Sequence, residues 1–332
     1  MSSEALVSIM MPVKNASPYL QACLESILAQ EHKHWELLAV NDHSTDDSND
    51  LLLAFAKKDQ RIKILQNEGE GIIPALQLAF KNAKGNFLTR MDADDLMAPN
   101  KLNLMLEVLK SNGPGHVCIG LVKYFADTKL GQGYINYEEW LNHLSREENN
   151  WAEIYKECVI PSPCWMLHRS DFEQAGAFDS EWYPEDYDLC FRFRRAGLQI
   201  RSVKEVLHFW RDHSARFSRN DPNYVDHTFI DLKIHHFAQQ DHQVEKQLYV
   251  WGAGKKGKRI ASLLQKQGIE FHWFSNNPKK IGHRIHGVLI ESDAQLDAAK
   301  ANQLIIAIAN QEEQQTIKHR MFGQKAQCFW FC

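Results

Sequence analysis

Asp92, Asp94 and Asp95 crowd into four residues of "RMDADDLMAPNKL", straight after the apolar run "NFLT". Carboxylates that close repel one another, so a cation or a set of donors has to hold them together. An Asp-x-Asp at the end of a buried strand suits a divalent cation, Mg2+ or Mn2+, that takes hard oxygen ligands and completes its shell with phosphate and water. The plainer alternative is capping, with Asp94 or Asp95 ahead of a helix beginning at Pro99 or Asn100. A second acidic pair, Glu185-Asp186, follows Pro184. It reads either as acids favoured in a helix's first turn or as a general base held apart from the metal. Asp42 ends "WELLAVND". Its carboxylate suits the imide N–H of uracil, or a simple Asx turn. "MPVKN", with Pro12, Val13 and Asn15, would offer backbone groups to a base and ribose.

These residues need a scaffold, and the first 125 residues supply its pattern. "LVSIMMPV", "WELLAVND", "IKILQN" and "NFLTRMD" are short apolar runs of strand length. Between them, "SPYLQACLESILAQ", "DSNDLLLAFAKKD" and "IIPALQLAFKNAKG" carry apolar residues at helical spacing. Ser17-Pro18 is expected to supply an N-cap and a proline at the first helical position, and Gly85 a helix stop. Alternation of this kind predicts a mostly parallel sheet covered on both faces, with ligands at the carboxyl ends of its strands. Asp42 and Asp92 both fall at such ends.

Farther on, helical spacing is expected from Tyr137, a helix start at Asp171, and a helix opened by Pro184-Glu185-Asp186 and closed near Gly197. "QIRSVKEVLHFWRDH" is strand-like, and residues 226–246 read as a polar helical connector. Residues 247–332 begin again with strand, glycine turn and helix in "LYVWGAGKKGKRIASLLQ", a small Rossmann-like unit. Its G-x-G-x-x-G (Gly252, Gly254, Gly257) would cradle phosphate, but "WFSNN" lacks the acid that holds a ribose diol. A structural or acceptor-binding module is therefore expected.

Composition narrows the class. With 332 residues, 44% hydrophobic and 24% charged, the chain has room for two domains and a buried core. A net charge of −4 gives no global pull toward nucleic acid or membrane. Seven cysteines without a CxxC pair argue against a disulfide framework and fit a reducing cytosol. No basic leader and no apolar run of about 18 residues is present, which leaves a peripheral association with the inner face of a membrane open.

"VSIMMPVKNASPYLQACLESILAQ", "ELLAVNDHSTDDS", "RMDADDLMAPNKL" and "PEDYDLCFRFRRAG", in that order, resemble a family 2 glycosyltransferase over about residues 5–215. The resemblance implies an α/β GT-A domain with a mixed, mostly parallel sheet over residues 1–225, ahead of the small Rossmann-like domain. It implies a nucleotide-sugar donor, most often a UDP-sugar, a divalent metal, and inversion at the anomeric carbon. Asp42 would then contact the base, Asp92 the ribose or sugar side, Asp94 the metal, and Asp186 would be the general base. Pro12, Val13, Asn15 and Arg90 would belong to the donor site. "LHFWRDHSARFSR" resembles the segment beside the donor phosphates, with His213 or His208 as a further metal ligand and Arg211 or Arg216 on phosphate. Gln77, where relatives often have Asn, leaves the donor sugar open.

For the acceptor, "EEWLNHL", "VIPSPCWMLHR" and "VWGAGKKGKR" resemble more loosely the layout of queuosine-tRNA galactosyltransferases. Trp140, Asn142, Trp165 and Glu185 would line the acceptor side. Two basic runs, Arg192, Arg194, Arg195, Arg201, Lys204 and Lys255, Lys256, Lys258, Arg259, could meet tRNA phosphates or be solvated helix faces. A surface polysaccharide, lipopolysaccharide or lipid-linked glycan is the first expectation and tRNA the second. A non-catalytic sugar-nucleotide binder is the alternative of another class. Nothing in the sequence sets the oligomeric state.

Overall fold

The structure, a computed structural model, describes residues 5–127, 129–214, 216, 229–296 and 303–332. The chain divides into two compact units, one of Met1–Ala152 with Cys158–Arg219, the other of Glu153–Glu157 with Asn220–Cys332.

In the first unit, strand β1 (Val7–Val13) pairs in parallel with β2 (Trp35–Asn41) and β4 (Phe87–Arg90), and β2 with β3 (Ile62–Gln66). The sheet continues through β7 (Trp165–His168), β6 (His116–Phe125), β8 (Gln199–Arg211) and the short β5 (Leu96–Met97). β7 runs antiparallel to both β4 and β6, while β6 and β8 are parallel, so the sheet is mixed. β1 is apolar on both faces except at Ser8, because both faces are covered. Ser8 is satisfied: its hydroxyl donates to Glu36 Oε1 (2.7 Å) and accepts from the Gly85 amide (2.8 Å).

Helices α1 (Ser17–Leu28), α2 (Ser48–Lys58), α3 (Ile72–Asn82), α4 (Lys101–Asn112), α5 (Gln132–Glu147), α6 (Arg169–Gln174) and α7 (Glu185–Arg195) complete this unit among the described residues. α1 shows why: Leu20, Cys23, Leu24 and Ile27 recur at helical spacing and are all fully buried.

Three local expectations are corrected. Ser17 is the first helical residue of α1, not its cap; the amides of Ala16 and Ser17 are bonded from afar by Ser48 Oγ (2.8 Å) and Asp46 Oδ2 (3.0 Å). Gly85 does not end α3, which stops at Asn82. It lies two residues ahead of β4, where a Cβ would stand 2.6 Å from Leu6 O and 2.7 Å from Ser8 N. α4 starts at Lys101 with β5 in between, so neither Asp94 nor Asp95 caps it.

The second unit has helix α8 (Ile230–His236) and a sheet of β9 (Leu248–Trp251), β10 (His272–Ser275), β11 (Arg284–Ile285), β12 (Val288–Ser292), β13 (Gln303–Ile306) and β14 (Gln327–Trp330). Five strands are parallel, in the order β12-β10-β9-β13-β14, with α9 (Lys255–Lys266) and α10 (Gln311–Met321) between them in sequence. At the glycine turn Gly252 has φ +118°, and a Cβ on Gly257 would overlap Gly252 O at 1.9 Å. These two glycines are required for turn and helix to pack. Of the expected connector, residues 226–228 lie outside the described residues, and 229–246 group with the second unit. No helix among the described residues is long and apolar enough to cross a membrane.

Candidate active site

The carboxyl ends of β1, β2 and β4 hold three of the expected groups. Asp42 follows β2, its amide bonded to Val13 O (2.8 Å) and its carboxylate buried. That carboxylate accepts from Asn67 Nδ2 (2.6 Å) and the Gly71 amide (3.1 Å), and Lys14 Nζ stands 3.3 Å away. The Gly71 amide also reaches the second oxygen (3.1 Å), so all four lone-pair positions are engaged, one of them by the exposed Lys14. Asn15, at φ +50°, accepts from the Thr45 amide through Oδ1 (2.8 Å), stapling the 44–45 loop to the end of β1. Pro12 and Val13 are the last β1 residues, in register with Val40 and Asn41.

The acidic cluster sits between β4 and β5, and each acid has its own partner. Asp94 Oδ2 lies 2.9 Å from His213 Nε2. The His213 ring is 4.4 Å from that of Tyr19, and its Nδ1 is buried without a hydrogen-bond partner among the described residues. Asp95 is buried and turned away; its two oxygens accept from His208 Nε2 (2.9 Å) and the Arg211 amide (2.7 Å). Burial pushes the Asp95 carboxyl well above the usual range, with Asp94 and Asp92 adding to it, and Arg216 and the Arg211 amide oppose this. Arg211 donates from Nε to Asp94 O (2.8 Å), and its guanidinium lies over Phe125 (4.4 Å) and Tyr19 (5.0 Å). Arg216 lies over Trp210 (5.2 Å) and Tyr124 (5.6 Å). Among the described residues no three His, Cys, Asp or Glu side chains gather around one metal position.

Asp92 faces the other way, toward Arg90. Arg90 is buried at the end of β4; Nε and Nη2 reach Asp92 Oδ1 (3.1 and 3.0 Å) and Nη1 donates to Glu185 Oε1 (2.7 Å). Burial opposes its charge, but Asp92, Glu185 and Asp186 together hold it protonated. Asp186 is half-buried in the first turn of α7, where Oδ1 accepts from the Tyr187 amide (2.7 Å). Burial, then the charge of Glu185, pushes its carboxyl up to about 7, against the pull of Arg90. A carboxyl so tuned exchanges a proton near neutral pH.

Several expected residues stand elsewhere. Trp165 is 2% exposed, stacked on Phe172 (5.8 Å) in the core, so its ring cannot line an acceptor surface. Asn142 is buried and spends its amide on Val122, accepting from its N–H (2.9 Å) and donating to its carbonyl (2.8 Å). Trp140 is half-buried beside Tyr137 (5.5 Å), and Glu185 is committed to Arg90. Gln77 donates to Phe178 O (2.9 Å). His208 is fully buried with both ring nitrogens bonded, so it is not open to a metal. Arg192 is also buried, paired with Asp188 (2.7 Å) and donating to Ala175 O and Ala177 O, which removes it from any phosphate-binding run. Arg259 pairs with Asp231 (2.6 Å), and Lys204 lies 3.5 Å from Glu148. Sequence reading missed Lys101 and the inward turn of Asp95. A lysine on an apolar helix face was the signal available for the first.

The profile of glycosyl transferase family 2 matches residues 8–176. An uncharacterized glycosyltransferase of Rickettsia prowazekii, RP339, is 30% identical over 223 residues, 67% of this chain and 68% of that protein. A second, from Rickettsia bellii, is 32% identical over 163 residues, and there the chain spans only 22% of the relative's length. Among solved structures, Staphylococcus aureus TarS 1–349 with UDP-GlcNAc superposes with a TM-score of 0.55 at 15% identity, covering 79% of this chain and 72% of that one. A Pyrobaculum calidifontis mannosyltransferase with GDP-Man and Mn2+ gives 0.52 at 17%, covering 79% and 70%. Half of the chain lies inside the family profile and one relative is matched over two thirds of its length, so the chain belongs to glycosyl transferase family 2 and is a glycosyltransferase of the GT-A fold.

Proposed function

We propose that the enzyme transfers a sugar from a UDP-sugar to an acceptor hydroxyl with inversion, using Mn2+ or Mg2+. The observation that carries the reading is the Arg90 bridge: Arg90 holds Asp92 beside it and Glu185 95 residues on, and so keeps the two acidic sites on either side of one guanidinium. An inverting transfer needs that division, a base on one face of the sugar and charge stabilisation for the leaving diphosphate on the other.

Two of the cation's three expected holders, Asp94 and His213, stand together. Neighbouring ligands of an octahedral ion with bonds of about 2.1 Å stand about 3 Å apart, and Asp94 Oδ2 and His213 Nε2 are 2.9 Å apart. The unpartnered Nδ1 of His213 can carry the ring proton and leave Nε2 to ligate. Asp92, the remaining expected ligand, is held by Arg90 and would have to turn to join them, with donor oxygens and water filling the rest of the shell. When bound, the cation would neutralise charge developing on the diphosphate.

The chain's own groups do the remaining work. Asp42 accepts a base N–H in exchange for its exposed Lys14 partner, Arg211 keeps its terminal nitrogens for phosphate, and Asp186 takes the acceptor's proton. The bound UDP-GlcNAc, GDP-Man and Mn2+ of the fold neighbours support a nucleotide-sugar donor and a cation here. A surface polysaccharide, lipopolysaccharide or lipid-linked glycan is the acceptor class proposed, with the protein at the cytoplasmic face of a membrane. The engagement of Arg192, Arg259 and Lys204 in ion pairs weighs against a tRNA surface.

A panel of UDP-sugars and GDP-mannose, offered with glycan precursors and with queuosine-containing tRNA, tests the reading. Chelator should abolish donor hydrolysis and Mn2+ restore it; full activity in excess chelator would remove the metal. Label entering tRNA and not glycan would replace the proposed acceptor.

A further inference from the structure

Behind the acidic cluster lies a second, fully buried set of polar groups that no step above uses. Lys101, His208 and Asp95 are 0%, 0% and 1% exposed. Lys101 Nζ donates to Pro163 O (2.7 Å) and stands 3.3 Å from His208 Nδ1. His208 Nε2 stands 2.9 Å from Asp95 Oδ2, and Asp95 Oδ1 accepts from the Arg211 amide.

With Lys101 charged and Asp95 ionised, the protons in this chain run in one direction. An amine facing a ring nitrogen donates to it, so His208 Nδ1 accepts and its proton sits on Nε2. Nε2–H then donates to Asp95, whose two oxygens receive two N–H groups from β8. Burial and the charge of Lys101 keep the His208 ring neutral, as this order requires. Three buried polar residues are costly unless every group is satisfied. Here they fasten the turn between β4 and β5 to the end of β8, two residues before His213.

We propose that Lys101, through the tautomer of His208, positions Asp95 and thereby sets the approach of His213 to Asp94, making these three buried groups positioning residues for the cation site. The inference rests on the metal-assisted reading above. Lys101 touches neither donor nor cation, so its effect should appear in the metal dependence of donor binding.

Asp95→Asn probes the direction of the protons. An amide offers one oxygen for two incoming N–H groups and sets its NH2 against the other, so the turn should shift. In Lys101→Met the His208 ring is free to move its proton to Nδ1, and Nε2 can then accept from the new amide. Asp95→Asn should therefore do less harm in the Lys101→Met background than alone. His208→Gln preserves an acceptor toward Lys101 and a donor toward Asp95, so it should behave as wild type.

The experiment titrates UDP binding against Mn2+ by calorimetry on the full chain, with melting curves alongside. Expected are a rise of at least about tenfold in the Mn2+ needed for half-maximal binding in Asp95→Asn and in Lys101→Met, from loss of about 1.4 kcal/mol or more. Metal-free UDP affinity should be unchanged, His208→Gln should lie within threefold of wild type, and the double variant should be better than the product of the single effects. Unchanged Mn2+ dependence in both single variants, with only lower melting temperatures, would overturn the inference alone. Wild-type UDP binding indifferent to Mn2+ would overturn the metal reading and this inference with it. If Lys101→Met does not fold, the contrast of Asp95→Asn with His208→Gln decides: equal Mn2+ dependence in the two overturns it.

Discussion

A single guanidinium sets much of the chemistry. Arg90 lies between Asp92 and Glu185 and lowers the proton affinity of Asp186, while Glu185 raises it. The balance leaves Asp186 at about 7. A base must be unprotonated, so kcat/KM should climb about tenfold per pH unit below that value and flatten above it. The two neighbours act with opposite sign, which separates them. Arg90→Met removes the cation that favours the carboxylate and should move the limb to higher pH. Glu185→Gln removes a repelling charge and should move it lower. Asp186→Asn should cut turnover by at least about 10²-fold with donor affinity little changed. It should not destabilise the fold: a folded-state carboxyl raised above its unfolded value binds more protons folded, so its contribution to stability declines as pH rises through that window. At pH 8 the asparagine variant should melt at or above the wild-type temperature. Wild-type turnover in this variant would return Asp186 to a helix-terminal role.

At the scale of elements, the alternation of strand and helix was legible because periodicity reports which faces are covered, and α1, β1 and β8 follow it. What escaped reading was set by contacts distant in sequence. The cap of α1 comes from Asp46 and Ser48, about thirty residues away, so the local Ser17-Pro18 signal misled by one position. Gly85 is demanded by the backbone of β1 lying against it, and no local turn signal encodes that approach. The acidic triplet was visible as a cluster, but its division into one residue toward Arg90, one toward His213 and one into the core depends on β8, more than a hundred residues on. Two substitutions test these contacts. Gly85→Ala would press a methyl against Leu6 O and Ser8 N and should cost about 1–3 kcal/mol, seen as a lower denaturant midpoint at unchanged slope. Asp46→Ala frees the Ser17 and Ser48 amides and should cost about 1 kcal/mol. That carboxyl is pushed up by burial, yet hydrogen bonds from Ser48 and Ser17 hold it down to about 2. Its stabilising share is therefore present above the ordinary carboxylate range and lost as pH falls toward 2. An Asp46→Ala variant as stable as wild type at pH 7 would remove the remote cap.

At the scale of the whole molecule, the chain enters the second unit twice, first at Glu153–Glu157 and again after Arg219. The first visit is anchored by Tyr155, 4% exposed, whose ring stacks on Phe331 (5.0 Å) and meets Phe329 (5.4 Å) and Phe237 (6.2 Å) edge-on. Its hydroxyl donates to the buried Asp241. Lys233, itself buried, donates from Nζ to Lys156 O (3.0 Å) and fixes the same segment from α8. A cut near residue 247, drawn from sequence, would thus take away the aromatic bed of Tyr155 while leaving 153–157 in the chain. That segment leads straight into Cys158, whose sulfur lies 3.7 Å from that of Cys190 on α7, the helix that carries Asp186. Removing the second unit should therefore disturb the base as well as any acceptor binding. Tyr155→Ala in the full chain isolates this effect without a truncation. Emptying so packed an aromatic site costs about 3–5 kcal/mol, so the second unit should melt at a distinctly lower temperature. Amide exchange across 153–160 should accelerate, and donor hydrolysis should fall more than donor binding. Tyr155→Phe, which keeps the ring and gives up one hydrogen bond, should lose about 1 kcal/mol and retain hydrolysis. If Tyr155→Ala lowers the melting temperature but leaves both exchange at 158–160 and hydrolysis at wild-type levels, the shared segment is only a passage between units, and truncation at 247 should spare the donor chemistry after all.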